Sequence, residues 1–215
     1  MKQNVRSVYN TWAETYDEQE NKTRDLDQEA TKNILSRIIN LSSKVLEFGC
    51  GTGKNTAWLA ESAAQITAAD FSEEMLNKAR EKISSPNINF EQADITKAWP
   101  FPNQSFNLIT CNLILEHVKD LDFIFSEAQR TLKLNSHFFI SELHPVKQYM
   151  GSKARFELNN KVVSPDCYTH HISDYFSSAI KFDFKCVELR EWFDGQNSET
   201  LPRLINFLFQ KLKDK

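Results

Sequence analysis

Residues 45 to 56 read Val45-Leu46-Glu47-Phe48-Gly49-Cys50-Gly51-Thr52-Gly53-Lys54-Asn55-Thr56, and this stretch decides the fold of the chain. Three of the protein's five glycines lie here at alternate positions, between a short apolar run and the amphipathic segment 56–60. This order predicts a strand, a glycine turn and a helix. Glycine allows positive φ and lets a ligand lie against the main chain, while the first helical turn offers unpaired N–H groups. We therefore expect a nucleoside ligand at this turn.

Three glycine motifs compete for the stretch, and their spacing separates them. A phosphate-cradling loop needs a glycine where Phe48 stands and a hydroxyl side chain where Asn55 stands. The dinucleotide fingerprint needs its third glycine where Lys54 stands. What remains is Glu47 followed by three alternate glycines, which resembles motif I of the class I S-adenosylmethionine (SAM) dependent methyltransferases. In that family the loop wraps the amino acid part of the cofactor. A glycine turn in an unrelated α/β domain is the alternative.

Length and composition describe an ordinary soluble domain. The chain has 215 residues, 40% of them hydrophobic and 26% charged, which predicts one domain with at most a small insertion. It contains neither an apolar run of membrane length nor an N-terminal signal pattern, so we expect a cytoplasmic protein that does not enter a membrane.

The net charge and the cysteine spacing limit the classes of acceptor and metal that the protein is expected to bind. A net charge of −3 and a pI near 6.0 argue against nucleic acid and favour a small-molecule or protein acceptor. The four cysteines are scattered without a C-x-x-C motif, so we expect reduced thiols, no zinc site and no other metal. The oligomeric state is left open between monomer and homodimer.

The N-terminal segment carries apolar and aromatic side chains at helical spacing. Residues 5–18 predict an amphipathic helix, and the polar run 18–27 predicts a mobile link. The phrase Tyr9-Asn10-Thr11-Trp12-Ala13-Glu14-Thr15-Tyr16-Asp17 resembles the opening of many small-molecule methyltransferases, where such a helix forms a lid. The resemblance implies that Tyr9 and Tyr16 cover the methyl donor in a segment, 5–27, that orders over the cofactor. An aromatic stripe that only packs on the core is the alternative.

Two aspartates follow the next predicted strands. After a helix over 29–40 and a strand over 44–48, a second strand over 65–69 ends in Asp70. An acidic residue about 20 positions beyond a glycine loop is the expected acceptor for ribose hydroxyls. Its alternative is a helix cap, a role that Ser72 already supplies. A third strand over 88–91 leads to Asp94, which the resemblance assigns to the adenine amino group. A turn aspartate is the alternative there.

The longest match to the family lies over residues 99–120. It reads Trp99-Pro100-Phe101-Pro102-Asn103-Gln104-Ser105-Phe106-Asn107-Leu108-Ile109, then Thr110-Cys111-Asn112-Leu113-Ile114-Leu115-Glu116-His117-Val118-Lys119-Asp120. These segments resemble the type 11 methyltransferases. Asn107 departs from the usual aspartate. Leu134-Asn135-Ser136 stands where the family has a glycine pair, and Asn135 tolerates the left-handed region that a turn needs.

The remaining segments complete a sheet in outline. We predict a fifth strand over 137–141, a hairpin over 156–163 that turns at Asn159-Asn160 and caps the substrate pocket, a helix over 172–180 and a strand over 185–192. Periodicity leaves residues 203–209 open between strand and helix. The family pattern makes this segment a seventh, antiparallel strand between the fifth and sixth.

The predicted fold is α/β, a Rossmann-like three-layer sandwich with a mostly parallel seven-stranded sheet in the order 3-2-1-4-5-7-6. Within it we predict a lid and link over 1–28, a SAM-binding core over 29–144, an acceptor-pocket insertion over 145–182 and C-terminal strands over 183–215. The ligand should lie at the carboxyl ends of the strands, where the predicted site residues meet.

The resemblance implies a SAM-dependent methyltransferase that acts on an oxygen, nitrogen or carbon of a small molecule and leaves S-adenosylhomocysteine. A non-catalytic SAM-binding or partner-binding module and a protein methyltransferase are the alternatives. His117 and His144 are candidate bases because they follow the fourth and fifth strands. The predicted cofactor contacts are Tyr9, Tyr16, Glu47, Gly49, Cys50, Gly51, Gly53, Asp70, Phe71, Met75, Asp94, Ile95, Asn112 and Leu113.

Overall fold

A computed structural model describes residues 5–18, 20–152, 156–158, 161–163, 166–195 and 200–213. Its helices are α1 Val5–Trp12, α2 Lys22–Leu35, α3 Lys54–Ser62, α4 Glu73–Lys82, α5 Leu121–Thr131, α6 Pro145–Tyr149 and α7 Ile172–Lys181, with a short 3₁₀ helix at Leu115–His117. Its strands are β1 Lys44–Phe48, β2 Gln65–Asp70, β3 Ile88–Gln92, β4 Phe106–Asn112, β5 Leu132–Leu143, β6 Phe156–Leu158, β7 Lys161–Val163, β8 Phe184–Trp192 and β9 Leu204–Lys211.

Seven strands form one sheet in the order β3-β2-β1-β4-β5-β9-β8. The first five strands in this order are parallel to one another, and β9 runs antiparallel between β5 and β8. One apolar cluster joins the sheet to α5 and α7 through side chains such as Phe125 and Ala179. A second joins the other face to α2, α3 and α4 through Ile34, Leu59 and Leu76. The predicted fold class and strand order are confirmed.

The segment that periodicity left open is the strand β9, and its position explains the ambiguity. A strand buried on both faces reads as a continuous apolar run, because both sets of alternating side chains meet a core. Ile205 and Phe207 pack into the cluster with α5 and α7, whereas Leu208 packs into the opposite one. The predicted hairpin is also present as β6 and β7, while its Asn159-Asn160 turn lies outside the described residues.

The predicted boundaries near the N-terminus are wrong in one important respect. The helix placed over 29–40 is α2, which begins at Lys22, where Asn21 caps it by accepting hydrogen bonds from the Thr23 and Arg24 amides. The second half of the polar run 18–27 is therefore helical rather than a link, and it includes the buried Asp27. The α1 helix ends at Trp12, and residues 13–18 form turns.

Asn135 lies inside a longer strand than expected, rather than in a separate turn before it. Strand β5 covers Leu132–Leu143, and its pairing with β4 shifts register between Phe106 and Leu108. Asn135 has φ +61°, so the asparagine adopts the left-handed conformation that the family's glycine pair would supply. Among the helices of the described ranges, none combines the length and apolar character that crossing a membrane requires.

Substituting Asn135 tests this backbone requirement. Asn135→Ala should lower the free energy of unfolding by about 1 kcal/mol, because alanine tolerates a positive φ less well. Asn135→Gly is the matched control and should stay within about 0.5 kcal/mol of the original protein. Urea unfolding of the three proteins measures both effects. Equal stability of the alanine variant and the original protein would show that the backbone at position 135 carries no strain.

Candidate cofactor site

A cavity of about 410 Å³ lies at the carboxyl ends of the parallel strands and extends under α1. Its volume falls within the range of about 300 to 1,000 Å³ that is typical of small-molecule sites. The structure brings together every predicted site residue except Gly53 and His144. Those that line the cavity are Tyr9, Tyr16, Glu47, Gly49, Cys50, Gly51, Asp70, Phe71, Met75, Asp94, Ile95, Asn112, Leu113 and His117.

Main-chain hydrogen bonds to strand β2 hold the glycine loop in place. The amides of Gly49 and Cys50 both donate to the carbonyl oxygen of Ala69, at 2.8 and 3.1 Å. Gly51 has φ +52°, and a Cβ built on it would meet no atom within 4 Å. The open side of this residue lets a ligand approach the backbone, as the motif predicts.

Gly53 serves packing rather than the cavity. It precedes α3 with φ +86°, and a Cβ there would lie 2.4 Å from the Cδ1 atom of Ile83. A larger residue would be strained by the positive φ and would have to displace the Ile83 side chain, so the helix start and its neighbour both favour glycine.

Asp70 ties the loop to the next helix. Its Oδ2 accepts from the Gly51 amide and its Oδ1 from the Ser72 amide, both at 2.9 Å. Burial raises the pKa of this carboxyl to about 6. Because each carboxylate oxygen can accept more than one hydrogen bond, Asp70 retains capacity for two vicinal hydroxyls at the cavity wall.

Asp94 is exposed and forms a local turn, with Oδ1 accepting from the amide and hydroxyl of Thr96 at 2.9 and 2.7 Å. Asp94 thus forms the turn that the sequence analysis gave as the alternative to an adenine contact. The residue also lines the cavity.

Glu47 is buried at the end of β1, where its Oε2 accepts from the Thr56 hydroxyl at 2.6 Å. Burial raises the pKa of Glu47 to about 7, and the nearby Asp27 and Asp70 act in the same direction. At neutral pH this side chain is poised between its charged and neutral forms.

Asp27 is a lining residue that the sequence analysis missed. Its carboxylate accepts from the side chains of Asn55, Asn112 and Ser141, at 3.2, 2.9 and 2.5 Å respectively. Burial raises its pKa, while these hydrogen bonds lower it. Position 27 lies at helical spacing from the buried Ala30 and Thr31, so extending the helix upstream would have shown an aspartate on its inner face.

The N-terminal segment covers the cavity through specific polar contacts. The Asn10 Oδ1 atom accepts from the Ser72 hydroxyl at 2.6 Å, and Asp17 contacts the Thr52 hydroxyl at 2.7 Å. The guanidinium of Arg24 lies 4.0 Å from the centre of the Tyr16 ring. These contacts place the two predicted lid tyrosines on the wall of the cavity.

The two candidate histidines have different positions. His117 lines the cavity, and its Nε2 lies 3.0 Å from the Tyr9 hydroxyl. His144 lies outside the cavity lining, where its Nε2 contacts Glu191 at 2.9 Å and its Nδ1 accepts from the Val146 amide at the start of α6. The structure thus gives His144 a capping role. Within the described residues, no three His, Cys, Asp or Glu side chains gather as a metal site requires.

The residues present fit a cofactor that carries positive charge and N–H donors. Asp27, Glu47 and Asp70 line the cavity as buried carboxyl groups. The Asn112 Oδ1 atom is also buried, and among the described residues no donor lies within hydrogen-bonding distance of it. A ligand with a sulfonium and an ammonium group would satisfy both features.

Comparisons with known proteins agree with this geometry. A family model described as "Methyltransferase domain", of type 11, matches residues 46–140. Phosphoethanolamine N-methyltransferase 3 of Arabidopsis thaliana is 33% identical over 129 residues, which cover 57% of this chain and 26% of that protein. The ubiquinone/menaquinone biosynthesis C-methyltransferase UbiE of Shewanella sediminis is 32% identical over 152 residues, 67% of this chain and 56% of that protein.

Solved structures share the fold. The crystal structure of an S-adenosylmethionine dependent methyltransferase from Mesorhizobium loti superposes with a TM-score of 0.69 at 22% identity, covering 86% of this chain and 100% of that one. The chain therefore has the fold of S-adenosylmethionine dependent methyltransferases of known structure. Its residues 46–140 are a methyltransferase domain of the type 11 family, which confirms the predicted family and the predicted cofactor, SAM.

Stability should fall as the pH rises, because Glu47 holds a proton in the fold. Its pKa is near 4.5 ordinarily and about 7 in the folded protein, so between these values the folded state binds a proton that the unfolded chain has lost. The free energy of unfolding should therefore decrease over this interval by on the order of 3 kcal/mol from this group.

Glu47→Gln keeps an oxygen for the Thr56 hydroxyl and should remove that part of the decrease. Urea unfolding of both proteins at about pH 5 and about pH 7.5 measures the difference. An identical decrease in the variant and the original protein would mean that Glu47 ionises in the fold as it does in the unfolded chain.

Proposed function

We propose that the protein transfers a methyl group from SAM to an oxygen, nitrogen or carbon of a small-molecule acceptor. The observation that carries this proposal is the order of polar groups along the sheet edge. Asp94 follows β3, Asp70 ends β2, the glycine loop follows β1 and Asn112 ends β4, all on one cavity. The order of these groups agrees with the order of polar groups in a nucleoside that carries an amino acid, from the adenine amino group to the ammonium.

The cofactor parts follow from that order. Asp94 would take the adenine amino group, and Asp70 would accept from the two ribose hydroxyls. The open face of Gly51 leaves room for the amino acid part, which then extends toward Asn112. When bound, SAM supplies a methyl group on a positively charged sulfur.

The buried carboxyl groups would attract the positive charge on the sulfur, and the lid would shield it from water. Low dielectric surroundings strengthen the attraction between a cation and the carboxylates of Glu47 and Asp70. Tyr9 and Tyr16 cover the cavity and exclude water, which protects a reactive donor and aligns the acceptor. The lid that we propose covers residues 5–18, because α2 begins at Lys22, and the divisions of the chain at residues 144 and 182 are part of this proposal.

His117 is our candidate base, and its hydrogen bonds define its tautomer. The Asp166 carbonyl, 3.1 Å from Nδ1, can only accept, so Nδ1 carries the proton. Nε2 then accepts from the Tyr9 hydroxyl. Burial raises the pKa of Tyr9 well above its usual value, so the phenol stays neutral and donates. A proton leaving the acceptor passes to the Tyr9 oxygen as the Tyr9 proton moves to Nε2.

The acceptor side of the cavity has an apolar wall. Ile114 and Val118 flank His117 on the lining, and Phe71 lies across from Tyr9 with ring centres 5.6 Å apart. This wall suits a small acceptor with an apolar or aromatic body. The two relatives described above are named for small molecules of two kinds, phosphoethanolamine and quinones.

Ligand binding tests the proposal directly. Calorimetry should show that SAM and S-adenosylhomocysteine bind, whereas NAD does not, because Lys54 stands where a dinucleotide loop needs glycine. Binding of NAD without a response to either adenosyl compound would contradict the proposal. Binding of SAM with no transfer to any acceptor would instead favour a non-catalytic module.

Substituting the two histidines tests the base. With a phenol acceptor and methyl-labelled SAM, His117→Ala should lower kcat by about 100-fold or more, with unchanged affinity for S-adenosylhomocysteine. Tyr9→Phe should give a smaller loss, because Nε2 remains. His144→Gln is the control outside the cavity and should keep its turnover. Equal rates for the His117 variant and the original protein would remove His117 from the chemistry.

A further inference from the structure

The amide of Asn112 has a fixed orientation. Its Nδ2 donates to the Asp27 carboxylate at 2.9 Å and to the Thr31 hydroxyl at 2.8 Å. A carboxylate can only accept, so the amide nitrogen must face this pair. The Oδ1 atom consequently points the other way, buried and without a donor among the residues that the structure describes, in a side chain that lines the cavity.

Asp27 is itself locked in place. Its Oδ1 also accepts from the Ser141 hydroxyl, and its Oδ2 accepts from the Asn55 amide. The Asn55 amide cannot exchange its ends, because its own Oδ1 accepts from the Trp58 indole at 3.2 Å. Asp27 on α2 therefore accepts each of its hydrogen bonds in this network, and the donors lie on α3, β4 and β5.

We propose that Asp27 is a positioning residue that holds the Asn112 Oδ1 atom toward the cavity, where it accepts a hydrogen bond from the ammonium of the cofactor's amino acid part. This inference rests on the proposed function. Asn112 ends β4, directly beyond the loop of β1, where the far end of a SAM molecule would arrive after its ribose contacts Asp70. An amide oxygen there attracts an ammonium, whereas the reversed amide would point two donors at it.

Comparing two ligands isolates this contact. S-Adenosylhomocysteine carries the ammonium, whereas 5′-methylthioadenosine keeps the adenine and ribose but lacks the amino acid part. The ratio of their affinities therefore reports on the amino acid end and is insensitive to a general loss of stability. Asp27→Asn would set an NH₂ group against the amide NH₂ of either Asn55 or Asn112, so the network must rearrange.

We expect Asp27→Asn and Asn112→Ala each to lower the affinity ratio by about tenfold or more, the loss expected for a hydrogen bond to a charged group. The double variant should lose no more than Asn112→Ala alone, because Asp27 acts through Asn112. Thr31→Val removes the second anchor without changing charge and should also lower the ratio. Ser178→Ala removes a serine hydroxyl that donates to a carboxylate outside the cavity lining, that of Asp122, and is the matched control, with a ratio within about twofold of the original.

Several results would overturn the inference. An unchanged ratio in Asp27→Asn, or additive losses in the double variant, would mean that Asp27 does not act through Asn112. Equal affinity of the original protein for both ligands would remove the ammonium contact while leaving the proposed function in place. Failure of the original protein to bind either ligand would overturn both.

Discussion

The site depends on burying carboxyl groups at one edge of the sheet without a matching buried cation. Asp27, Glu47, Asp70, Glu116 and Glu142 are all buried near the carboxyl ends of the strands. Within the part of the chain that the structure describes, the one buried Lys or Arg is Lys211, which donates to the Leu132 carbonyl at the opposite end of the sheet. Such an arrangement is costly in the absence of a cationic ligand, and burial accordingly raises the pKa of Glu47 to about 7 and of Asp70 to about 6. A positively charged donor would offset this cost, so the same feature that destabilises the free protein provides affinity.

Much of the fold was predictable because it follows from local patterns. The alternate glycines after β1 and the acidic residue at the end of β2 indicate a parallel sheet with its ligand at the strand ends, and both the strand order and the cavity agree. Asn135 could also be predicted, since asparagine is among the few residues that adopt a positive φ at low cost. These features depend on a few neighbouring residues, which a sequence displays directly.

Other features depend on contacts between distant segments, which no local pattern shows. A polar run predicted a link over residues 18–27, yet Asp27 is buried because Asn55, Asn112 and Ser141 bring hydrogen bonds from three other elements. His144 follows a strand as an active-site base would, but Glu191, 47 positions away, holds it outside the cavity. The polar composition of the segment predicted an exposed link, whereas the structure buries the Asp27 carboxylate among partners that are all remote in sequence.

The pH dependence of SAM and S-adenosylhomocysteine binding, measured by calorimetry, shows directly whether the buried carboxyl groups recognise the charge of the donor. The two ligands differ at the sulfur, which is charged only in SAM, so their difference reports on the buried carboxyl groups. A cation lowers the pKa of Glu47 and Asp70, and SAM should therefore release protons on binding and bind more tightly as the pH rises through 6 and 7. S-Adenosylhomocysteine should show a clearly smaller effect. Equal pH dependence and equal proton release for both ligands would contradict the claim that these carboxyl groups recognise the charge of the donor.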